Sequence, residues 1–516
     1  METMIPSDDP VRLASAFVEG MDLSELYSTY DRIRKNQASP RQMFKIMVYA
    51  AMNGIFSSRD IETACRRDIN FMYLLEGMPV PDHATIARFV SLHLANCSRD
   101  ILAETTSVLL DLGELSGKTV FIDGTKIEAN ANKYTFVWKK AVTKNQTKLF
   151  EKITNLVAEC EELYGIQIVY HDRISLHTLK RLRKKLYAVK KDEGIVFVHG
   201  TGKRKTTLQK SIEQLEAYIG KLKEYIKKLH VCGDRNSYSR TDPDATFMRL
   251  KEDAMLNGQL KPAYNLQHAV DAQYITWLDI SSRPGDVTTL VPFLKDMEGH
   301  LSFKYKEIVA DAGYESEEAY VFLEENGQEA YIKPQNYEIS KTRKYRQDIS
   351  RRENMTYLQE EDCYVCSQGR KLAAIKERTK RNRNGYTSTE TIYECEDCSD
   401  CPCKEKCIHG NNCKTPLEQR NKRVWVSKVM QEKRQETLER ITTEYGTQLR
   451  MNRSIQAEGS FAVLKEDMGF RQYLYRGKRN VLAQSVLAAI AHNINKLHFK
   501  IQGGRTGQFL TDLKAS

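Results

Sequence analysis

A chain of 516 residues exceeds what one hydrophobic core usually holds, so two or three domains are expected. The formal net charge of +11 and a pI near 8.9 suit a polyanionic partner, the more so because the cations cluster. No apolar run reaches the ~18 residues of a membrane span, and METMIPSDDP lacks the cationic-then-apolar order of a signal peptide; no membrane partner and a cytoplasmic location are expected.

Residues 1–112 read as an all-α block with helices over 22–34, 40–55, 58–65, 69–76 and 82–94. In the last of these Asp82 stands at an N-cap position, and Ile86, Phe89 and Val90 recur at helical spacing. Two readings stay open for it. It is a recognition helix that turns His83, Thr85 and Arg88 toward a DNA groove, or part of a bundle that packs on the next domain.

The stretch 120–132, VFIDGTKIEANAN, changes the pattern. Val120, Phe121 and Ile122 have the character of a strand buried on both faces, and Gly124 signals the turn that stops it. Asp123 is therefore expected at the strand tip, where it either caps the turn or serves chemistry. The chain then turns helical over 141–230. Leu149, Ile153, Leu156, Cys160 and Leu163, and later Leu208, Ile212, Leu215, Ile219, Leu222, Ile226 and Leu229, follow heptad seams. They predict two helices paired as an antiparallel hairpin. The joining segment carries Lys180, Arg181, Arg183, Lys184 and Lys185, either a solvated face or a contact to phosphates.

Strands resume near 263–272 and 277–281, followed by a helix over 286–297 and an apolar strand that ends at Asp311 in KEIVADAGYE. Asp311 repeats the design of Asp123. Asp271 and Asp286 are runners-up, since neither ends a strand as cleanly. Asp242 and Asp244 flank Pro243 in a turn and read either as structural or as supports that orient the metal-binding side chains. Past residue 334 the composition becomes basic, and eight of the 12 cysteines crowd between Cys363 and Cys413. Cys363-x2-Cys366 and Cys395-x2-Cys398 have the spacing of one tetrahedral Zn²⁺ site that replaces a core too small to hold itself; free thiols are the plainer alternative.

A later helix carries Glu458, with Phe461, Leu464 and Met468 on its apolar side and Lys465 two turns on. FRQYLYRGKR, with Arg471 and Arg476, interleaves aromatic and basic residues as nucleic-acid surfaces do. Leu482, Val486, Ala489, Ile490 and Ile494 share one face of an amphipathic final helix.

Three carboxylates on two strand ends and a helix are the oxygen ligands that hard divalent cations need. In the stretches PDHATIARF, IDGTKIEANANKY, SYSRTDPDA, YNLQHAVDA, VADAGYES and AEGSFAVLKEDMGFRQYLYRG the chain resembles the bacterial insertion-sequence DDE transposases, over nearly its whole length. The resemblance implies an α/β fold: a ribonuclease H-like core, with a mixed sheet flanked by helices, in pieces 113–140, 231–338 and 416–516. An all-α N-terminal, DNA-binding domain (1–112), a coiled-coil hairpin insertion (141–230) and a basic Cys-rich insertion, a possible zinc ribbon (339–415), complete it.

It further implies Asp123, Asp311 and Glu458 as ligands of Mg²⁺ or Mn²⁺, and cleavage at transposon ends followed by strand transfer. Double-stranded DNA, the terminal inverted repeats and the target, would be met by Lys465, Arg453, Arg471, Arg476, His83 and Arg88. A homodimer or larger assembly would form the synaptic complex. An inactive DNA-binding regulator and a nuclease without strand transfer are the alternatives. One departure stands out: related transposases place an Arg four residues before the Glu, whereas here position 454 is Ser and Arg453 lies one residue off.

Overall fold

The run Val120-Phe121-Ile122 becomes the middle of a mixed sheet in the computed structural model, which describes residues 2–170, 174–200, 202–250, 258–410 and 413–509. Strand β1 (Thr119–Glu128) lies antiparallel to β5 (Leu260–Asp271) and parallel to β7 (Glu307–Ala310), which pairs in parallel with β8 (Glu329–Ile332). Along the outer side of β5 run β4 (Thr246–Arg249) and then β6 (Tyr274–Ser281). This is a mixed α/β fold compatible with a ribonuclease H-like core. β1 does not stop at Gly124 as expected but continues to Glu128. Gly124 is required by packing: a Cβ there would collide with the Gln267 side chain and lie 3.1 Å from the Tyr314 hydroxyl.

Helices cover both faces of the sheet. The final helix, Lys478–Gln502, lies on β6 and is itself wrapped by helices Pro40–Met52 and Ala95–Asp111, so the N-terminal helices share one continuous core with the sheet. That burial corrects the expectation of an amphipathic helix, since every residue from Val481 to Ile494 is buried. Some of its polar members find partners inside. Asn493 exchanges two hydrogen bonds of 2.8 Å with the backbone of Ile275. The helix expected over 22–34 shrinks to Ser24–Ser28, beyond which the Tyr30 ring lies flat on His93 with centroids 3.6 Å apart.

The segment 141–230 is a three-helix unit, not a two-helix hairpin. Between helices Lys139–Tyr164 and Thr207–Cys232 the basic joint is itself a helix, Leu176–Asp192, because Leu179, Leu182 and Leu186 recur on one face and join the same apolar core. Its cations point outward, as a solvated face would. Below the unit β2 (Phe136–Trp138) pairs with β3 (Ser237–Ser239), which clamps the entering and leaving chain side by side. Replacing 149–229 by a short flexible linker is therefore expected to leave a soluble, cooperatively melting core. An insoluble product would show that the core leans on the helices.

A second sheet, antiparallel, is formed by β9 (Thr356–Leu358), β10 (Cys363–Val365), β11 (Lys371–Arg381), β12 (Thr387–Cys395) and β13 (Arg423–Val426). Its core is small, centred on Tyr364, Leu372, Tyr393 and Val424. Among the described residues no helix is long and apolar enough to cross a membrane.

Candidate active site

Side chains alternate along a strand, so Phe121 and Asp123 share one face of β1 while Val120 and Ile122 take the other. Phe121 and Val309 pack with Ile441, Leu449 and Ala457 on the first face; Ile122 and Ala310 enter the main core on the second. The parallel register pairs Ile122 with Ala310. The next residues are Asp123 and Asp311, which therefore sit on neighbouring strands about 5 Å apart, at the point where β7 ends. Asp311 caps the turn Ala312–Tyr314, its Oδ1 accepting from the Gly313 N–H at 2.7 Å.

Glu458 arrives on the covering segment. Helix Glu444–Arg453 runs into a π-helical turn, Ser454–Glu458. In an α-helix residues i and i+4 share a face, whereas a π turn shifts that relation to i+5. The residue that displaces Arg453 from the spacing of related transposases is absorbed there, and Arg453 regains the face of Glu458. Its guanidinium donates to Asp123 Oδ2 at 3.0 Å and to Glu458 Oε1 at 2.9 Å.

Burial pushes the Asp123 carboxyl up to about 6, while the Arg453 charge and the Gly124 N–H act in the opposite sense and the charges of Asp311 and Glu458 push it further up. Asp311 and Glu458 thus both lie within electrostatic reach of Asp123. The donor set fits a hard divalent cation, being carboxylate oxygens with a guanidinium already standing as the cation between two of them. As they stand, no three His, Cys, Asp or Glu side chains among the described residues close around one point, and Arg453 occupies the gap between Asp123 and Glu458.

Lys465 is turned inward rather than toward a phosphate. Its side chain is buried and donates to Thr125 Oγ1 at 2.7 Å, tying the Glu458 segment to β1. Arg471 and Arg476 are exposed, the first paired with Glu466 and the second bonded to the Asn130 carbonyl at 2.8 Å. In the N-terminal block Asp82 caps helix His83–Arg88 as expected, accepting from Thr85 N at 2.6 Å. His83, Thr85 and Arg88 are exposed while Ile86, Phe89 and Val90 are buried; His83 is held by Glu62 at 3.0 Å.

Asp271 sits at the far end of β5, where it accepts from Ser116 Oγ at 2.8 Å and Gly117 N at 2.9 Å and fixes the loop before β1. Asp286 departs from its sequence reading. The helix starts only at Leu290, and Asp286 lies in the loop after β6. A Cβ placed on Gly313 would be 3.0 Å from Asp311 Oδ1 and 3.5 Å from Asp286 Oδ2. No local pattern announces this neighbourhood, which depends on a loop folding back over β5.

The zinc expectation needs correction. Tyr364 is directly opposite Leu372, and Leu372 opposite Cys395, so these side chains share a face. Cys363, adjacent to Tyr364, takes the other face and cannot join Cys395 around one ion. Cys366, Cys395 and Cys398 do neighbour one another, and burial, then Cys398, raises the Cys395 thiol to about 12. As they stand these thiols do not form a metal-holding group. Should zinc be carried nonetheless, roughly one per chain, it is expected to fall in the Cys395→Ser, Cys398→Ser double variant and stay in Cys363→Ser. Metal content equal to the parent in the double variant would remove both thiols as ligands.

Comparison with known families gives two matches. Residues 365–498, which include Glu458, match the family model described as "Transposase DDE domain", and residues 1–92 match "Transposase domain (DUF772)". Asp123 and Asp311 lie outside both. No curated protein and no solved structure matches the chain.

Proposed function

Because the chain belongs to the insertion-sequence DDE transposases, we propose that it cuts double-stranded DNA at its element's terminal inverted repeats and joins the freed 3′ ends to target DNA. One observation carries the reading: two aspartates brought side by side by the parallel register of β1 and β7 lie beside a glutamate that arrives on a π turn, and one guanidinium bridges Asp123 and that glutamate.

Asp123, Asp311 and Glu458 would hold Mg²⁺ or Mn²⁺. Bound there, such cations supply activation of water or a 3′-hydroxyl and stabilisation of the leaving oxygen. The apolar floor of Phe121, Val309 and Ala457 keeps bulk water from the inner side of Asp123. Lys465 fixes the height of the Glu458 segment over β1. The mixed sheet supports this placement, since Asp123 lies within β1 and Asp311 directly follows the last paired residue of β7.

Arg471 and Arg476, with the exposed cations Lys376, Arg378 and Lys380 of β11, offer contacts to the phosphate backbone. His83, Thr85 and Arg88 form the exposed side of the N-terminal helix, suited to DNA. A homodimer or larger assembly would hold two transposon ends together.

The test is a DNA reaction. Duplex carrying the element's end, with Mg²⁺, is expected to be cut to a 3′-hydroxyl, and a pre-cut end is expected to join plasmid DNA. Cutting without joining would reduce the reading to a nuclease. Binding with neither step would reduce it to a regulator.

A further inference from the structure

Asp286 is not an isolated loop carboxylate. Its Oδ1 accepts from Asn265 Nδ2 at 2.6 Å and from Gln267 Nε2 at 3.0 Å, both on β5. Gln267 in turn accepts at Oε1 from the Tyr314 hydroxyl and, at 3.3 Å, from Thr289 Oγ1. Tyr314 is buried and belongs to the turn that Asp311 caps. Gln267 lies directly across from Gly124, the residue after Asp123, and its side chain fills the space a Cβ would need there. One chain of hydrogen bonds therefore runs from the loop after β6, under β1 beside Asp123, to the turn beside Asp311.

We propose that Asp286 is a positioning residue of the catalytic centre: through Gln267 and Tyr314 it braces β1 against the end of β7 and so fixes the separation of Asp123 and Asp311. This rests on the transposase reading and extends it to residues on the opposite face of the sheet. The brace explains one glycine directly. At Gly124 a side chain would displace Gln267, whereas at Gly313 it would crowd Asp311 Oδ1 at 3.0 Å and merely touch Asp286 at 3.5 Å.

Burial, and then the nearby charges of Asp286, Asp123 and Asp311, keep the Tyr314 phenol protonated, so it remains a donor to Gln267. The amide then has one orientation, its oxygen taken by Tyr314 and its nitrogen by Asp286. A carboxylate at 286 enforces that orientation because it accepts and never donates. Groups that orient metal-binding side chains without touching the ion typically change affinity 10- to 100-fold when removed.

The experiment is a Mn²⁺ titration of the full chain followed by electron paramagnetic resonance, with the melting temperature and transposon-end binding measured in parallel. Asp286→Ala breaks the brace at one end and Tyr314→Phe at the other with little change in packing. Each is expected to weaken Mn²⁺ binding by about tenfold or more, with end binding unchanged. Asp286→Asn keeps an acceptor oxygen for Asn265 and Gln267 and is expected to bind Mn²⁺ within a few-fold of the parent.

Asp286→Asn falling as far as Asp286→Ala would mean that the charge itself faces the cation, which overturns the positioning role. Mn²⁺ binding lost in Asp123→Asn but kept in Asp286→Ala and Tyr314→Phe overturns the brace and leaves the aspartate pair standing. Binding kept in Asp123→Asn as well overturns both readings. If Asp286→Ala does not fold, Tyr314→Phe decides alone.

Discussion

Asp123→Asn, Asp311→Asn and Glu458→Gln are each expected to lower transposon-end cleavage by orders of magnitude, roughly several kcal/mol of barrier, while end binding stays within a few-fold of the parent. Each substitution keeps shape and hydrogen-bonding capacity and removes one charge from a set that coheres only around a cation. Asn at 123 can still accept from Arg453, so the π turn should stay docked on β1. End binding is expected to survive because its affinity would come from exposed cations elsewhere on the surface, such as Arg471 and Arg476. Asp271→Asn is the proper control. Its carboxylate serves the loop at Ser116 and Gly117, and an amide can make both bonds, so cleavage should match the parent. A dead Asp271→Asn beside an active Glu458→Gln would show that the third carboxylate is misassigned.

The chain's two aspartates were legible because a strand imposes a period of two. Once Val120-Phe121-Ile122 and Ile308-Val309-Ala310 read as strands, the residue after each was placed on the same side of its strand, and register made them neighbours, although Asp123 lies inside β1 and only Asp311 follows a strand end. Three features were not legible, each for a nonlocal reason. Gly124 looked like a stop signal, but its missing side chain makes room for Gln267, a residue on another strand. The one-residue offset of Arg453 left its role open, but a π turn brings residues five apart onto one face, and nothing in Ser454-Ile455-Gln456 announces such a turn. Cysteine spacing suggested one site for Cys363 and Cys395, but which face each takes depends on the pairing of β10, β11 and β12. The three-helix unit lies between these cases, since Leu179, Leu182 and Leu186 carried a readable period beneath a conspicuous run of cations.

Arg453→Gln is expected to destabilise the metal-free protein at neutral pH and to enlarge the stabilisation gained from Mg²⁺ or Mn²⁺. The guanidinium is the countercharge that Asp123 and Glu458 share, and the Asp123 half matters more because that side chain is 16% exposed against 56% for Glu458. Leaving a buried carboxylate without its partner costs on the order of 2–4 kcal/mol. The sign with pH follows from Asp123, whose folded pKa of about 6 already exceeds the ordinary 3.8 and would rise further without Arg453. For a raised carboxyl, stability is greatest when the group is protonated and is lost as pH rises through the folded value. The deficit of Arg453→Gln should therefore be largest above about pH 7 and shrink toward pH 4. Thermal melts at pH 4.5 and 7.5, each with EDTA and with Mn²⁺, read both effects. A deficit that is the same at the two pH values, and that Mn²⁺ does not reduce, would mean that Arg453 holds the π turn by packing and that the carboxylates do not need its charge.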